Sequence, residues 1–191
     1  MQPKPIVLAF DTSAAHCAAA LLLGDRIVTR VDEMAKGQAE HLMPMLEGML
    51  AAQNLTWQDI DGIGVGVGPG NFTGIRIALS AARGLALGLG KPAIGVNGFD
   101  ARAFGEPLPF TATIPAPRDQ SYVQEFRVGE TSDPIQIASP AHPQKSASDL
   151  ISSVARIAAS RLGDSTERPA PLYIRSADAA PPRDPAPVLL S

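Results

Sequence analysis

The stretch Gly64–Gly90, GVGVGPGNFTGIRIALSAARGLALGLG, runs a ladder of glycines directly into a long segment of small and apolar residues. Such a junction is a strand turning into a helix, and it is where phosphates often bind, because helix N-termini present unpaired N–H groups. Two phosphate motifs fail letter by letter. A Walker loop needs Gly-Lys-Ser/Thr after four intervening residues, whereas Gly70 is followed by Asn71 and Gly74 by Ile75 and Arg76. The dinucleotide fingerprint needs a third glycine three residues after the second. From the three possible starts that position is Pro69, Asn71 or Thr73. The glycines then serve either a weak anion site at Phe72–Ile75 or a sharp turn into a tightly packed helix. Either Asn71 or Thr73 can cap that helix.

Working outward, the first hundred residues alternate between periods. Ile6–Thr12 reads as a buried strand, and the runs on either side of Gly24-Asp25 as a hairpin with a two-residue turn. Gln38–Gln53 carries Leu42, Met45, Leu46, Met49 and Leu50 at helical spacing, with Pro44 either in the first turn or as a kink. Thr56 and Asp59 form a capping box. Ile60–Gly66 is a strand, Thr73–Leu89 a helix and Ala93–Val96 a strand. The order β-β-β-α-β-α-β predicts a ribonuclease H-like α/β lobe of the kind that actin-like ATPases and sugar kinases share.

The residues after 100 have another character. Fourteen of the 17 glycines lie at or before Gly98, and thirteen of the 18 prolines lie after Asp100. The expected division is a lobe at 1–100 that binds a partner and a smaller lobe at 101–191 with an extended tail. Within the second, Thr111–Ile114 and Tyr122–Val128 are candidate strands, and Ala147–Leu162 a candidate helix.

Composition excludes several roles. A net charge of −3 provides no basic field to grip a nucleic acid unaided. The single Cys17 precludes an internal disulfide and fits a reducing compartment. The N-terminus reads as neither a signal peptide nor a membrane span, so the expected location is the cytoplasm. A two-metal nuclease would need three or four carboxylates. Asp11 and Glu40 could supply two, but GVGVGPG stands where the third belongs. Zinc chemistry lacks a ligand pair, since His16, His41 and His142 include no i,i+4 spacing. A kinase would need phosphate loops from both lobes. Asp11, Thr12 and Ser13 offer one half of a phosphate site, or an ordinary strand-end turn. The second lobe has only the isolated Gly105, Gly129 and Gly163.

Surfaces remain. The row Gly74, Ala78, Ala82, Ala86 and Gly90 allows close approach of another element. Arg76, Ser80, Arg83 and Leu87 fall opposite Leu85, and Met45 and Met49 lie on the first helix, where methionine suits either a core or a contact. These six, Met45, Met49, Arg76, Ser80, Arg83 and Leu87, are the expected interface.

The opening Ile6–Ser13, the segment AEHLMPML and the segment Gly66–Val96 together resemble the TsaB family, formerly YeaZ. The most specific part is Gly66–Arg76. Arg118, Tyr122, Pro171, Tyr173 and Arg175 match more thinly. The resemblance implies an actin-like (ASKHA) two-lobe fold with a shortened second lobe. It implies a non-catalytic subunit of the complex that makes threonylcarbamoyladenosine in tRNA, joined to the catalytic paralogue TsaD through the first-lobe helices. The resemblance also implies TsaE, an ATPase, as a further partner and contact with tRNA through the complex, and it leaves a homodimer of the free protein open. No cofactor or metal is required of this chain, with ATP or ADP at the subunit contact an open alternative. The competing reading is a stand-alone actin-fold ATPase or small-molecule kinase.

Overall fold

The computed structural model describes residues 4–138, 145–163 and 167–174. The proline-rich tail, Arg175 and His142 lie outside the described residues.

The first sheet has five strands: β1 (Ile6–Asp11), β2 (His16–Leu23), β3 (Arg26–Glu33), β4 (Gly62–Gly66) and β5 (Ala93–Val96), in the order β3-β2-β1-β4-β5. β1, β2 and β3 are antiparallel, and β4 and β5 run parallel to β1. Strand alternation sorts the apolar side chains to two faces. Leu8, Phe10, Cys17, Ala19 and Leu21 face helices α1 (Gln38–Ala51) and α2 (Phe72–Leu89). Val7, Ala9, Ala18, Ala20 and Leu22 face away from them. Pro44 falls inside α1, beyond its first turn.

That second face is covered by α4 (Ala147–Ser160), through Ile151, Val154, Ile157 and Ala158. The alanines of β1 and β2 leave room for a helix to lie close. The boundary expected near residue 100 is therefore corrected by packing. A helix assigned from sequence to the second lobe completes the core of the first, together with Ala101.

The remaining chain adds α3 (Gly98–Ala103) and a four-stranded sheet of β6 (Phe110–Ala116), β7 (Gln120–Arg127), β8 (Glu130–Thr131) and β9 (Ile135–Ile137). β6 and β7 pair antiparallel from Phe110↔Phe126 to Ala116↔Gln120. A small core of Phe99, Ala112 and Ile114 joins this sheet to α3. The C-terminal segment 167–174 returns to the first lobe, where the Leu172 N–H donates to the Val67 carbonyl over 2.8 Å.

Candidate functional site

Asp11 ends β1 and opens the turn that the sequence marked. One carboxylate oxygen, Oδ1, accepts from the Ser13 N–H and from Ser13 Oγ, both at 2.8 Å. Thr12 is fully buried, and its hydroxyl donates to the Gly74 carbonyl at 2.6 Å. The Ser13 carbonyl accepts the Asn71 N–H at 2.7 Å. Asp11 Oδ1, the Thr12 and Ser13 hydroxyls and the Ser13 carbonyl are thus bonded within the chain. Asp11 and Ser13 still line a cavity, whereas Thr12 does not.

Two glycines make this arrangement possible. A Cβ on Gly74 would sit 1.8 Å from the Thr12 carbonyl oxygen, and one on Gly66 would sit 1.8 Å from Asp11 Oδ2. The helix therefore starts pressed against the β1 turn, and the Asp11 carboxylate occupies the space a side chain on β4 would need. Asn71 caps α2, its side-chain oxygen accepting the Gly74 N–H at 2.9 Å. Thr73 is not the cap, because it lies within the first turn. With the Gly74 N–H bonded to the Asn71 side chain and the Ile75 N–H to the Asn71 carbonyl, the anion site expected at Phe72–Ile75 loses two of its donors.

The cavity encloses about 580 Å³ between the C-terminal ends of the first-sheet strands, α3, α4 and the second sheet. Its polar lining includes Asp11, Ser13, His16 and Arg102, and its apolar lining includes Ile114, Leu150 and Val154. His16 Nε2 stands 3.8 Å from Asp11 Oδ1. Arg102 Nη1 donates to the Gly98 carbonyl at 2.9 Å. Desolvation by burial holds the Arg102 guanidinium below its usual pKa, against the opposing pull of Asp11. Arg102 escaped the sequence reading, since it lies in the segment taken as a lobe boundary.

The expected interface residues separate into two groups. Met45 and Met49 are buried at 2% and 6% exposure and belong to the core under α1, so their assignment to a contact surface is corrected. Helical spacing along α1 aims both at the sheet, together with Leu42 and Leu46. Arg76, Ser80, Arg83 and Leu87 do lie on the outward face of α2. The Arg76 guanidinium sits 4.0 Å from the centroid of the Phe72 ring, which stacks on Tyr173 at 5.2 Å. Arg83 donates from Nε and Nη2 to the Pro169 carbonyl at 3.0 and 2.6 Å, holding the C-terminal segment to the helix. Leu87 is 87% exposed and Phe72 is 51% exposed. Beside them a groove of about 510 Å³ runs between α1 and α2, lined by Met43, Phe72, Ile77 and Ser80 among others.

On the far side of α1, Asp32 accepts from Arg30 at 2.7 Å and pairs with His41 at 2.6 Å. The Arg30 hydrogen bond, then that of His41, holds the Asp32 carboxyl below its usual range. Among the described residues no three of His, Cys, Asp and Glu are grouped to hold a metal ion.

A ribonuclease H-type sheet with helices on both faces and a cleft closed by a second sheet defines a two-lobed α/β protein of the actin-like (ASKHA) class. Comparison with known proteins narrows the class. The family model TsaD: tRNA N6-adenosine threonylcarbamoyltransferase matches residues 32–159. The Escherichia coli tRNA threonylcarbamoyladenosine biosynthesis protein TsaB is 34% identical over 91 residues, covering 48% of this chain and 39% of that protein. A protein of Erythrobacter litoralis called tRNA N6-adenosine threonylcarbamoyltransferase is 30% identical over 120 residues, 54% of this chain and 35% of its own length. The solved structure of YeaZ from Pseudomonas aeruginosa superposes with a TM-score of 0.71 at 26% identity, covering 89% of this chain and 100% of that one. The chain belongs to the TsaB/YeaZ family. It spans about two-fifths of the length of the curated relatives it matches.

Proposed function

We propose that this protein is a subunit of the machinery that forms threonylcarbamoyladenosine in tRNA, and that it supports the catalytic paralogue TsaD rather than carrying out the transfer itself. The observation that carries this reading is the outer face of α2, where Leu87 and Phe72 stand exposed beside two arginines. Exposed large apolar side chains and arginines on one helix face suit a protein contact. Gly84 and Gly88 support it too, since a Cβ at either would meet nothing within 4 Å in this chain, leaving space for another helix. In this reading TsaE and tRNA join through the assembly, and ATP or ADP sits at the subunit contact when bound. The protein works in the cytoplasm.

The test is co-expression with the TsaD-type paralogue, followed by size-exclusion chromatography and a tRNA modification assay. A stable complex whose activity needs both chains is expected. Modification by this chain alone would overturn the accessory role. A second reading, a stand-alone ATPase or small-molecule kinase, draws on the two-lobe cleft with Asp11 on its floor. It requires magnesium-dependent ATP turnover that Asp11→Ala abolishes.

A further inference from the structure

The cleft at the C-terminal ends of the first-sheet strands reaches as far as Asn71, the residue before Phe72, and holds two opposite charges that do not meet. Arg102 reaches it with a guanidinium whose Nη1 is bonded to the Gly98 carbonyl. Among the described residues no carboxylate comes within the 4.0 Å of an ion pair with it, although a guanidinium carries five donors. Asp11 reaches the same cavity from β1. Its Oδ1 is committed to Ser13, while Oδ2, over Gly66, takes no hydrogen bond from a described residue. His16 Nε2, 3.8 Å from Asp11 Oδ1, adds a second polar atom at that pole. Both groups keep partial contact with water in the cleft, so a ligand that displaces this water must supply opposite charges in its place. One molecule carrying both charges would satisfy both.

The rest of the cavity sets the remaining chemistry. Its volume, about 580 Å³, falls in the range of small-molecule sites. Val96, Ile114, Leu150, Ile151 and Val154 add apolar surface to the same cavity. A nucleotide triphosphate without its magnesium ion fits this lining poorly. Its phosphates would face the Asp11 carboxylate, and the Asn71 and Gly74 N–H groups that could have met them are already bonded to Ser13 and to the Asn71 side chain.

We infer that the cleft binds a free α-amino acid with an uncharged side chain, its carboxylate on Arg102, its ammonium on Asp11 beside His16, and its side chain against α4. The proposal draws on none of Phe72, Arg76, Arg83 and Leu87, so its failure leaves the proposed function standing.

The experiment is isothermal titration of the full chain with a panel of uncharged L-amino acids, the matching N-acetyl amino acids and amino-acid amides, and ATP with magnesium. At least one free amino acid is expected to bind with a dissociation constant below 1 mM, on the order of a specific small-ligand site. N-acetylation, which removes the ammonium, and amidation, which removes the carboxylate, should each weaken binding at least about tenfold, the loss of one charged contact. Arg102→Gln and Asp11→Asn should do the same, whereas Leu87→Glu should leave it unchanged. The analogue series on the native chain decides the matter even where a variant fails to fold. Equal binding of the N-acetyl or amide form overturns the assignment, as does the absence of heat for every amino acid at about 10 mM, some tenfold above that threshold. Binding of ATP in the cleft, abolished by Asp11→Asn, also overturns it.

Discussion

Helix α2 has an inner and an outer face built from similar residues and used in opposite ways. Inside, Gly74, Ile75, Ala78, Leu79 and Ala82 are buried against the sheet. Outside, Phe72, Arg76, Ser80, Arg83 and Leu87 are exposed. Small residues occur on both. At Gly74 on the inner face the small size is accounted for, because the Thr12 backbone stands where a side chain would go. On the outer face it is not, since Gly84 has nothing near it. Chain segments already meet part of this outer face, for Arg76 and Arg83 hold Tyr173 and Pro169. Spacing alone assigns residues to a face; only the atoms opposite reveal what that face is for.

The comparison breaks first at Gly74. Gly74→Ala places a methyl group on the Thr12 carbonyl, and overpacking against backbone should cost about 3 kcal/mol, exceeding the roughly 1 kcal/mol that alanine gains in a helix. Urea denaturation measures it, and a native-like midpoint would mean that the inner face is not close-packed.

The same buried layer contains Cys17, whose thiol is pushed up to about 11 by burial and then by the charges of Asp32 and Asp11. Unfolded, it ionises near 9.0. The folded state thus holds the proton longer. Stability is whole below pH 9 and is lost as pH rises toward 11, by about 2 to 3 kcal/mol for two pKa units. Cys17→Ala should flatten that alkaline slope relative to the native chain. A thiol that ionises near its unfolded value in a 240 nm thiolate titration would show this layer to be wetter than its packing implies.

The outer face is sharpened by Leu87→Glu. Folding should change by less than about 0.5 kcal/mol, as for an exposed site. Association with the TsaD-type subunit should weaken by about 2 kcal/mol if Leu87 anchors the contact. Normal association by a folded variant would move the contact to the α1–α2 groove. The smallest effect lies at the cap. Asn71→Ala should lower stability by about 1 kcal/mol, while Thr73→Ala should leave the midpoint within about 0.3 kcal/mol, the reverse order being incompatible with the Asn71 bond.

Much of the first lobe was legible. Alternating strands and 3.6-residue spacing named all five strands, α1 and α2 to within a few residues, and the Asn-or-Thr cap alternative contained the answer. The shorter elements were not. α3 has six residues, too few for a period, although Asn97 caps it by accepting the Phe99 and Asp100 N–H groups. β9 has three residues and is a strand through its pairing with β7. For the site, Asp11 and Ser13 were readable at a strand end, but Arg102 was not, because its role comes from the sheet folded over it. Met45 and Met49 were misassigned since helical spacing alone cannot separate a core stripe from a contact stripe.

The placement of α4 has a consequence for how the chain comes into being. The β1–β5 sheet is complete once Val96 has been made, yet the helix that dries its second face ends at Ser160, about sixty residues later. At roughly 5–20 residues per second, the nascent chain spends about 3 to 12 s with Val7, Ala9, Ala18 and Ala20 open to water. During synthesis this protein is a half-covered sheet waiting for its lid, and it is in that interval that a chaperone has an apolar face to hold.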